Sequence, residues 1–363
     1  MRIALIILIA LHGIIHLFGF LKAFNLAKFN AISQPISKTS GLLWLILFIV
    51  FATAVSLLIS ESKIWWLPAF LAVIGSQLLI INFWHDAKFG TILNLIILVS
   101  ALIAYASFSF NNTIAAERSI LLKNTQTNGA QVITEKTISE LPVSVQKWLK
   151  NNGTVGKRPV SNVHLKQALQ LKLNPEQENW NTGKAEQYVT THPPAFHWTI
   201  NTKINSIFSI VGRDKFEAGN GEMTIKLLSL IPVADAKNSH KVNQASLQRF
   251  LAEIVWFPSA SLSKYITWQP INSYSAKATL EYNGTKGSGE FHFDENGNFK
   301  KFVAMRFKDS NAIEPTKWMV NATQIEERNG IKIPVACEAS WEQENGVWTW
   351  LKLKITEINY NIM

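Results

Sequence analysis

Electric charge is distributed very unevenly along this chain, and this distribution decides what its first third can fold into. Residues 1–111 contain six Lys or Arg and two Asp or Glu, whereas the remaining sequence contains 29 and 23. Charge-poor apolar sequence of this length is typical of helices in a lipid bilayer rather than of a soluble core. The pattern therefore excludes an intrinsically disordered chain and a wholly soluble protein.

Four apolar stretches of about twenty residues lie in this first part, and each is long enough for a helix that crosses about 30 Å of hydrocarbon. None has Asp, Glu, Lys or Arg in its interior. A cleaved signal peptide is the alternative for the first stretch, but no small-residue cleavage pattern follows it. We therefore predict a four-helix transmembrane domain over residues 1–111, with spans at residues 3–21, 42–60, 65–84 and 92–110.

The short loops between these spans indicate the orientation in the membrane. The first loop carries Lys22, Lys28 and Lys38 and no acidic residue, and loops with an excess of Lys face the cytoplasm. With four spans, everything after residue 110 then lies outside the cytoplasm, although Arg2 favours the opposite orientation. We expect a multi-pass protein of the cell membrane with an extracytoplasmic C-terminal domain.

The sequence after the last span predicts a linker and then a β-rich domain. Residues 112–138 are rich in Asn, Thr and Gln, which predicts a polar linker, and a folded domain follows over residues 139–363. Apolar and polar residues alternate in this domain, which is typical of antiparallel strands with one face in water. Four Asn-Gly pairs, which favour tight hairpins, begin at residues 283, 296, 329 and 345. The alternating runs are residues 163–173, 196–204, 222–228, 274–282, 290–293, 302–307 and 348–358.

Two helical patterns accompany the strands. Residues 141–150 have Pro in the first turn and one apolar side, and a longer amphipathic pattern covers residues 243–257 before Pro258. The predicted fold class is thus a membrane α-helical bundle followed by an α+β domain, in which one long helix covers a curved antiparallel sheet. The apolar face of such a sheet has to be buried, either by another part of the protein or by a ligand.

Several segments carry a resemblance to a known family. They are residues 11–24 (LHGIIHLFGFLKAF), 34–36, 76–77, 86–91 (DAKFGT) and 94–96 in the first part, and 141–142, 145–146, 231–236 (IPVADA) and 251–258 (LAEIVWFP) in the second. The chain resembles a family of uncharacterised bacterial membrane proteins over most of its length, and this family is a domain of unknown function. The soluble part is also similar to the half-barrel of periplasmic lipoprotein carriers, whose curved sheet encloses an apolar pocket for acyl chains. That similarity is architectural, so it implies a half-barrel fold rather than an activity.

Two histidines in the first span are candidates for an intramembrane site. His12 and His16 are one helical turn apart and face the same side, and ionisable residues in hydrocarbon suggest a proton relay, a haem or metal ligand, or a quinone contact. The alternative is that neutral imidazoles hold the bundle together by hydrogen bonds to Gln77, Asn82 or Asn94.

His85 and Asp86 end the third span. Their side chains point about 100° apart on a helix, so we expect an interfacial cap of the next segment rather than a two-ligand site. A joint site of these two residues with His12 and His16 requires the first and third spans to meet at the same depth.

The soluble domain has no sequence motif of metal or covalent catalysis. Its five His residues (164, 192, 197, 240 and 292) lack zinc-ligand spacing, no Gly-x-Ser-x-Gly sequence occurs, and a single cysteine, Cys337, excludes internal disulfides. Residues 284–289 and 294–298 lack the residue order of phosphate and calcium loops and predict hairpins. We expect no metal and no cofactor. Nucleic-acid binding is not expected either, because the basic residues are interleaved with acids.

The end of the long helix is the most informative segment of the domain. Trp256 and Phe257 are adjacent, so we expect one ring to pack on the sheet and the other to reach a pocket mouth or the membrane surface; core packing is the alternative. Glu253 shares a face with Phe257 and is expected to pair with Arg213 or Arg249. The predicted ligand-binding residues are Trp256, Phe257, Phe250 and Glu253.

Two functions from different classes follow from these patterns. The leading hypothesis is a non-enzymatic membrane protein whose extracytoplasmic domain binds or transfers an apolar ligand, with membrane lipids and a lipid or lipidated protein as partners. The alternative is a membrane redox or proton-coupled enzyme that uses His12 and His16.

Overall fold

The computed structural model describes residues 2–29, 32–126, 131–203 and 208–362. The chain divides into two compact units, Met1–Thr113 and Ile114–Met363. Residue 204, the end of one predicted strand, and residues 127–130 of the predicted linker lie outside the described residues.

The first unit is helical. It contains α1 (Arg2–Ala23), α2 (Lys38–Ile59), α3 (Trp66–Asn82), the short α4 (Trp84–Ala87) and the start of α5 (Gly90–Lys123). Among the described residues, α1, α2 and α5 are long and apolar enough to cross a membrane, whereas α3 has 17 residues. The third predicted span is therefore helical but shorter than expected, because Phe83 leaves the helical conformation (φ −114°, ψ 37°).

Small residues let the helices of this unit approach closely. A Cβ atom on Gly13 would lie 2.9 Å from the Cβ of Phe51, and one on Gly19 would lie 2.3 Å from the ring of Trp44. Close backbone approach at Gly is a common way for helices to associate in lipid, where dispersion contacts replace the hydrophobic effect. The outward side chains of α1, such as Ile3 and Leu11, are apolar and exposed.

The second unit is built on one continuous sheet. Besides α6 (Glu135–Ile138) and α7 (Val143–Asn151), its described residues form thirteen strands. They are β1 (Asn162–Leu171), β2 (Asn181–Thr191), β3 (Pro194–Lys203), β4 (Ser209–Glu217), β5 (Asn220–Leu227), β6 (Ile231–Ala236), β7 (Ile266–Asn272), β8 (Ser275–Tyr282), β9 (Thr285–Phe293), β10 (Phe299–Arg306), β11 (Thr316–Arg328), β12 (Ile331–Gln343) and β13 (Gly346–Tyr360).

The order of the strands explains the half-barrel. Neighbours are β6-β5-β4-β3-β2-β1-β13-β12-β11-β10-β9-β8-β7, and every described pair is antiparallel. The chain thus makes two meanders that join where β1 pairs with β13, with β6 and β7 at the two edges. Helix α8 (His240–Glu253) connects these edges and is followed by 3₁₀ turns at Ile254–Trp256 and Pro258–Leu262. The predicted fold class, apolar helices followed by a curved antiparallel sheet with a covering helix, is confirmed.

Local sequence signals account for much of this sheet. All seven alternating runs contribute to strands (β1, β3, β5, β8, β9, β10 and β13). Asn283 with Gly284, and Asn329 with Gly330, connect successive strands with positive φ at both residues, as type I′ turns require. The alternation of apolar and polar residues also determines which side chains of a strand face the core. On β1, Val163 and Leu165 are fully buried while Lys166 is exposed.

The beginning of the predicted linker is helical. Helix α5 continues to Lys123, and Glu117 accepts hydrogen bonds from His197 Nε2 (3.0 Å) and Arg213 (2.7 Å) on the outer face of the sheet. Burial alone would raise the pKa of Glu117, but the His197 hydrogen bond and the charges of Arg213 and Lys215 outweigh it and lower that pKa. The polar composition of this segment led us to predict a linker. The helix could not be predicted, because the residues that pair with Glu117 lie on strands far along the sequence.

Candidate functional site

The two histidines of the first span lie in a buried polar network. His12 Nε2 lies 2.9 Å from Asn94 Oδ1, and His16 Nε2 lies 3.0 Å from Ser76 Oγ. Asn94 Nδ2 in turn donates to Ser76 and to Gln77. Of the three partners expected from the sequence, Asn94 thus bonds to His12, Gln77 bonds to Asn94, and Asn82 bonds to neither histidine in the described residues. Ser76, at the centre of the network, was not expected.

The two imidazoles differ in how their ring nitrogens are bonded. His16 Nδ1 lies 2.9 Å from the backbone carbonyl of His12, which only accepts, so Nδ1 of His16 carries a hydrogen, and Nε2 lies within hydrogen-bond distance of the Ser76 hydroxyl. Since Asn94 Nδ2 already donates elsewhere, its Oδ1 accepts from Nε2 of His12. The remaining ring nitrogen, Nδ1 of His12, is buried without a partner among the described residues. The two rings thus connect α1 to α3 and α5.

His85 and Asp86 belong to a different cluster. The Asp86 carboxylate accepts hydrogen bonds from the N–H and the hydroxyl of Ser33 (both 2.7 Å) and from the N–H of Gln34 (3.0 Å). These bonds, with that from Gln34 contributing most, lower the pKa of Asp86. The expectation that Asp86 caps the next segment is wrong, because it holds the loop before α2. Across the described residues, no three or more His, Cys, Asp or Glu are arranged to hold a metal ion.

In the second unit, the inner face of the sheet is filled beneath α8. We call this region the covered core. The expectation that one of Trp256 and Phe257 reaches a pocket mouth is wrong, since both are buried, and Trp256 Nε1 donates to the Pro334 carbonyl on β12 (3.0 Å). Two consecutive 3₁₀ turns redirect the chain at this point and so let both rings turn inward. The covered core consists of Leu247, Phe250, Leu251, Ile254, Trp256 and Phe257.

Glu253 lies at the edge of the covered core and is fully paired. Its carboxylate accepts from Arg249 Nε one helical turn earlier (2.7 Å) and from Gln187 Nε2. Arg249 also binds Asp214 of β4. Of the two expected partners of Glu253, Arg249 is therefore the actual one, and Arg213 instead binds Glu117 and Glu222 on the outer face.

A second inner region is lined by indole rings, and we call it the tryptophan cluster. Trp318 pairs with Trp341, and Trp341 pairs with Trp348, so three rings occupy one row across β11, β12 and β13. Trp350 follows on β13 and is half-buried against Leu169 and Leu171. On β12, the buried residues Cys337 and Ala339 precede Trp341 at intervals of two and therefore point to the same face, which places the row on the inner face. The tryptophan cluster is Trp318, Trp341, Trp348 and Trp350.

The tryptophan cluster differs from the covered core in its hydrogen bonding. The indole N–H groups of Trp318, Trp348 and Trp350 are buried and have no partner among the described residues. By contrast, Trp256 donates to Pro334, and Trp198 at the border of the cluster donates to Gln167 (2.9 Å). A buried indole N–H normally finds an acceptor, and leaving one unpaired costs about 1–3 kcal/mol.

Two cations and a depression adjoin the tryptophan cluster. The guanidinium carbon of Arg306 lies 4.7 Å from the ring centroid of Trp318, and Lys308 Nζ lies 5.6 Å from that of Trp341. Lys308 also lines an open depression of about 530 Å³, together with Thr316, Glu342, Gln343, Glu344 and Asn345. The sequence-based prediction missed this region. The turn lies at Glu344 and Asn345, one residue before the expected Asn345-Gly346 turn, and this register brings Trp341 opposite Trp348.

The fold now defines the class of protein: apolar helices that fit membrane spans, followed by an antiparallel half-barrel. The chain belongs to the family of unknown function DUF6920, whose model matches residues 139–360. This confirms the resemblance noted in the sequence. The chain matches no curated protein.

Two solved structures resemble the half-barrel. A LolA superfamily protein from Nitrosomonas europaea has 8% sequence identity and a TM-score of 0.33, and the likeness covers 60% of this chain and 94% of that chain. A β-barrel-like protein of the domain of unknown function DUF1849 from Brucella abortus has 9% identity and a TM-score of 0.22, with coverage of 56% and 100%.

Proposed function

We propose that this protein is a membrane-anchored binding protein whose half-barrel takes up an apolar ligand, a lipid or the acyl chain of a lipidated partner, at the tryptophan cluster. The observation that carries this proposal is that the buried indole N–H groups of Trp318, Trp348 and Trp350 have no partner in the part of the chain that the structure describes. These donors lie among half-buried apolar side chains. An amphipathic molecule offers a hydrogen-bond acceptor for these N–H groups and an apolar surface that packs against the indole rings.

The covered core does not support ligand binding in the same way. Its side chains fill the space beneath α8, and the indole of Trp256 is hydrogen-bonded. The proposal therefore moves the ligand from Trp256, Phe257 and Phe250 to the tryptophan cluster. Glu253 keeps an indirect role, because its bonds to Arg249 and Gln187 fix the border between the two regions.

The intramembrane histidines support a structural role rather than the redox or proton-coupled alternative. Three of their four ring nitrogens are engaged within the bundle, and His16 has no free nitrogen for a ligand. A site that needs both imidazoles would have to break the bonds to Ser76 and to the His12 carbonyl.

A photoactivatable fatty acid with a clickable tag tests the proposal in membranes that contain the full-length protein. We expect crosslinks within residues 316–360, and Trp348→Ala with Trp350→Ala should reduce them at least about tenfold, since each large aromatic ring buries surface worth more than 1 kcal/mol. Trp180→Ala is the matched control, because Trp180 stacks with Lys172 and Lys352 outside the cluster. Crosslinks in this segment that are unchanged by the double substitution would refute the proposal.

The proposal includes an extracytoplasmic location of the half-barrel, supported by Lys22, Lys28 and Lys38 in the first loop. One type of reporter enzyme works only outside the cytoplasm. We expect such a reporter to be active when it is fused after Met363. Activity of a cytoplasm-only reporter at the same position would reverse the orientation.

A further inference from the structure

Arg306 and Arg249 are two inner arginines with different surroundings. Arg249 binds the carboxylates of Asp214 and Glu253. Arg306 donates from Nε to the Ala245 carbonyl of α8 (3.0 Å), and within the described ranges no carboxylate lies within salt-bridge distance of it. Among the residues that the structure describes, Arg306 is thus a half-buried cation without a directly bound anion.

The surroundings of Arg306 keep its guanidinium in place without satisfying its charge. The group lies 4.7 Å from the centroid of Trp318 and 5.7 Å from that of Trp341, distances at which ring faces attract cations. Burial lowers the pKa of Arg306 to about 10, Arg249 acts in the same direction, and the charges of Asp214 and Glu253 oppose both. Arg306 therefore remains charged at neutral pH, and its terminal N–H donors have no protein acceptor in the described structure.

A second cation points to the same place. Lys308 lies two residues beyond Arg306, and its Nζ lies over the ring of Trp341. Two acidic residues, Glu342 and Glu344, also line the adjoining depression, and Glu342 is paired with Lys317 (2.9 Å). Arg306 and Lys308 thus each place a positive charge over an indole ring of the tryptophan cluster.

We propose that Arg306 binds the anionic headgroup of the ligand, a carboxylate or a phosphate, while the apolar chain lies on the tryptophan cluster. This inference rests on the proposed function and narrows it to anionic amphiphiles. The planar fork of a guanidinium matches two oxygen atoms of either group. Lys308 adds a second charge that suits a phosphate as well as a carboxylate.

A competition assay tests this proposal with the full-length protein in nanodiscs and the crosslinking probe described above. Palmitic acid should displace the probe about tenfold better than hexadecanol, because hydrogen bonds to charged groups contribute more than neutral ones. In Arg306→Gln this preference should fall to near one, with displacement by hexadecanol unchanged. Lys301→Gln, which removes an exposed charge from the same strand, should keep the preference. Displacement of the probe by phosphatidic acid, compared with displacement by diacylglycerol, measures the corresponding preference for a phosphate headgroup.

The outcomes separate the two proposals. Equal displacement by acid and alcohol, and by the phosphate pair, overturns the headgroup proposal but leaves the proposed function intact. Absence of any crosslink at the cluster overturns the proposed function itself. If Arg306→Gln does not fold, Lys308→Gln replaces it, and its acid preference should fall about threefold. A preference unchanged in whichever folded variant is measured contradicts the proposal.

Discussion

The covered core and the tryptophan cluster lie on the same face of the same sheet, and both are built largely of aromatic side chains. In the covered core every cited polar group has a partner: Trp256 bonds to Pro334, and Glu253 bonds to Arg249 and Gln187. In the tryptophan cluster, three indole N–H groups have none in the described structure. Hydrogen-bond satisfaction, rather than burial, therefore distinguishes the two regions.

The largest expected effect concerns the packing of the covered core. Phe250→Ala should lower the free energy of unfolding of the half-barrel by about 3–5 kcal/mol, because a large buried ring leaves a cavity. Urea denaturation of the purified full-length protein, followed by near-ultraviolet circular dichroism, measures this change. Trp350→Ala should lower the free energy of unfolding clearly less, because this ring is only half-buried. Equal losses in the two variants would remove the distinction between the regions.

A smaller effect isolates the hydrogen bond itself. Trp256→Phe and Trp348→Phe delete the same atoms, but only the first leaves a carbonyl, that of Pro334, without its donor. Trp256→Phe should therefore reduce the free energy of unfolding by about 1–3 kcal/mol more than Trp348→Phe does. The same denaturation experiment compares the two variants, and a larger loss for Trp348→Phe would show that its N–H has a partner.

The smallest expected effect is the absence of a reaction. Burial raises the pKa of Cys337 to about 12, so its thiol stays protonated at pH 8 and should react with iodoacetamide only after unfolding. The raised pKa favours the folded state below about pH 8.5, and this contribution is lost as the pH rises through about 12. Intact-mass analysis counts the modification of this single cysteine. Fast labelling of the native protein would show that the inner face opens.

Features of the fold that depend on residues close together in the sequence could be predicted from the sequence. Alternation located seven strands, and of the two partners expected for Glu253, Arg249 is the actual one. The helical stretch after Thr113 was not predicted, because Glu117 bonds to Arg213, 96 residues further along the chain. The tryptophan cluster was missed for the same reason. Its members come from three strands, and neither the register between strands nor an unpaired N–H is visible in composition.

The pairing of β1 with β13 has a consequence for biosynthesis. Val163 lies opposite Tyr360, so the middle of the sheet closes only after the ribosome has made the chain through β13, almost 200 residues after β1. Until then β1 offers an unpaired edge, a known template for intermolecular association. Long sequence separation between contacting strands also slows folding. Helix α8 is made between the two meanders, so it can cover β3–β5 first and leave only the second meander to dock late.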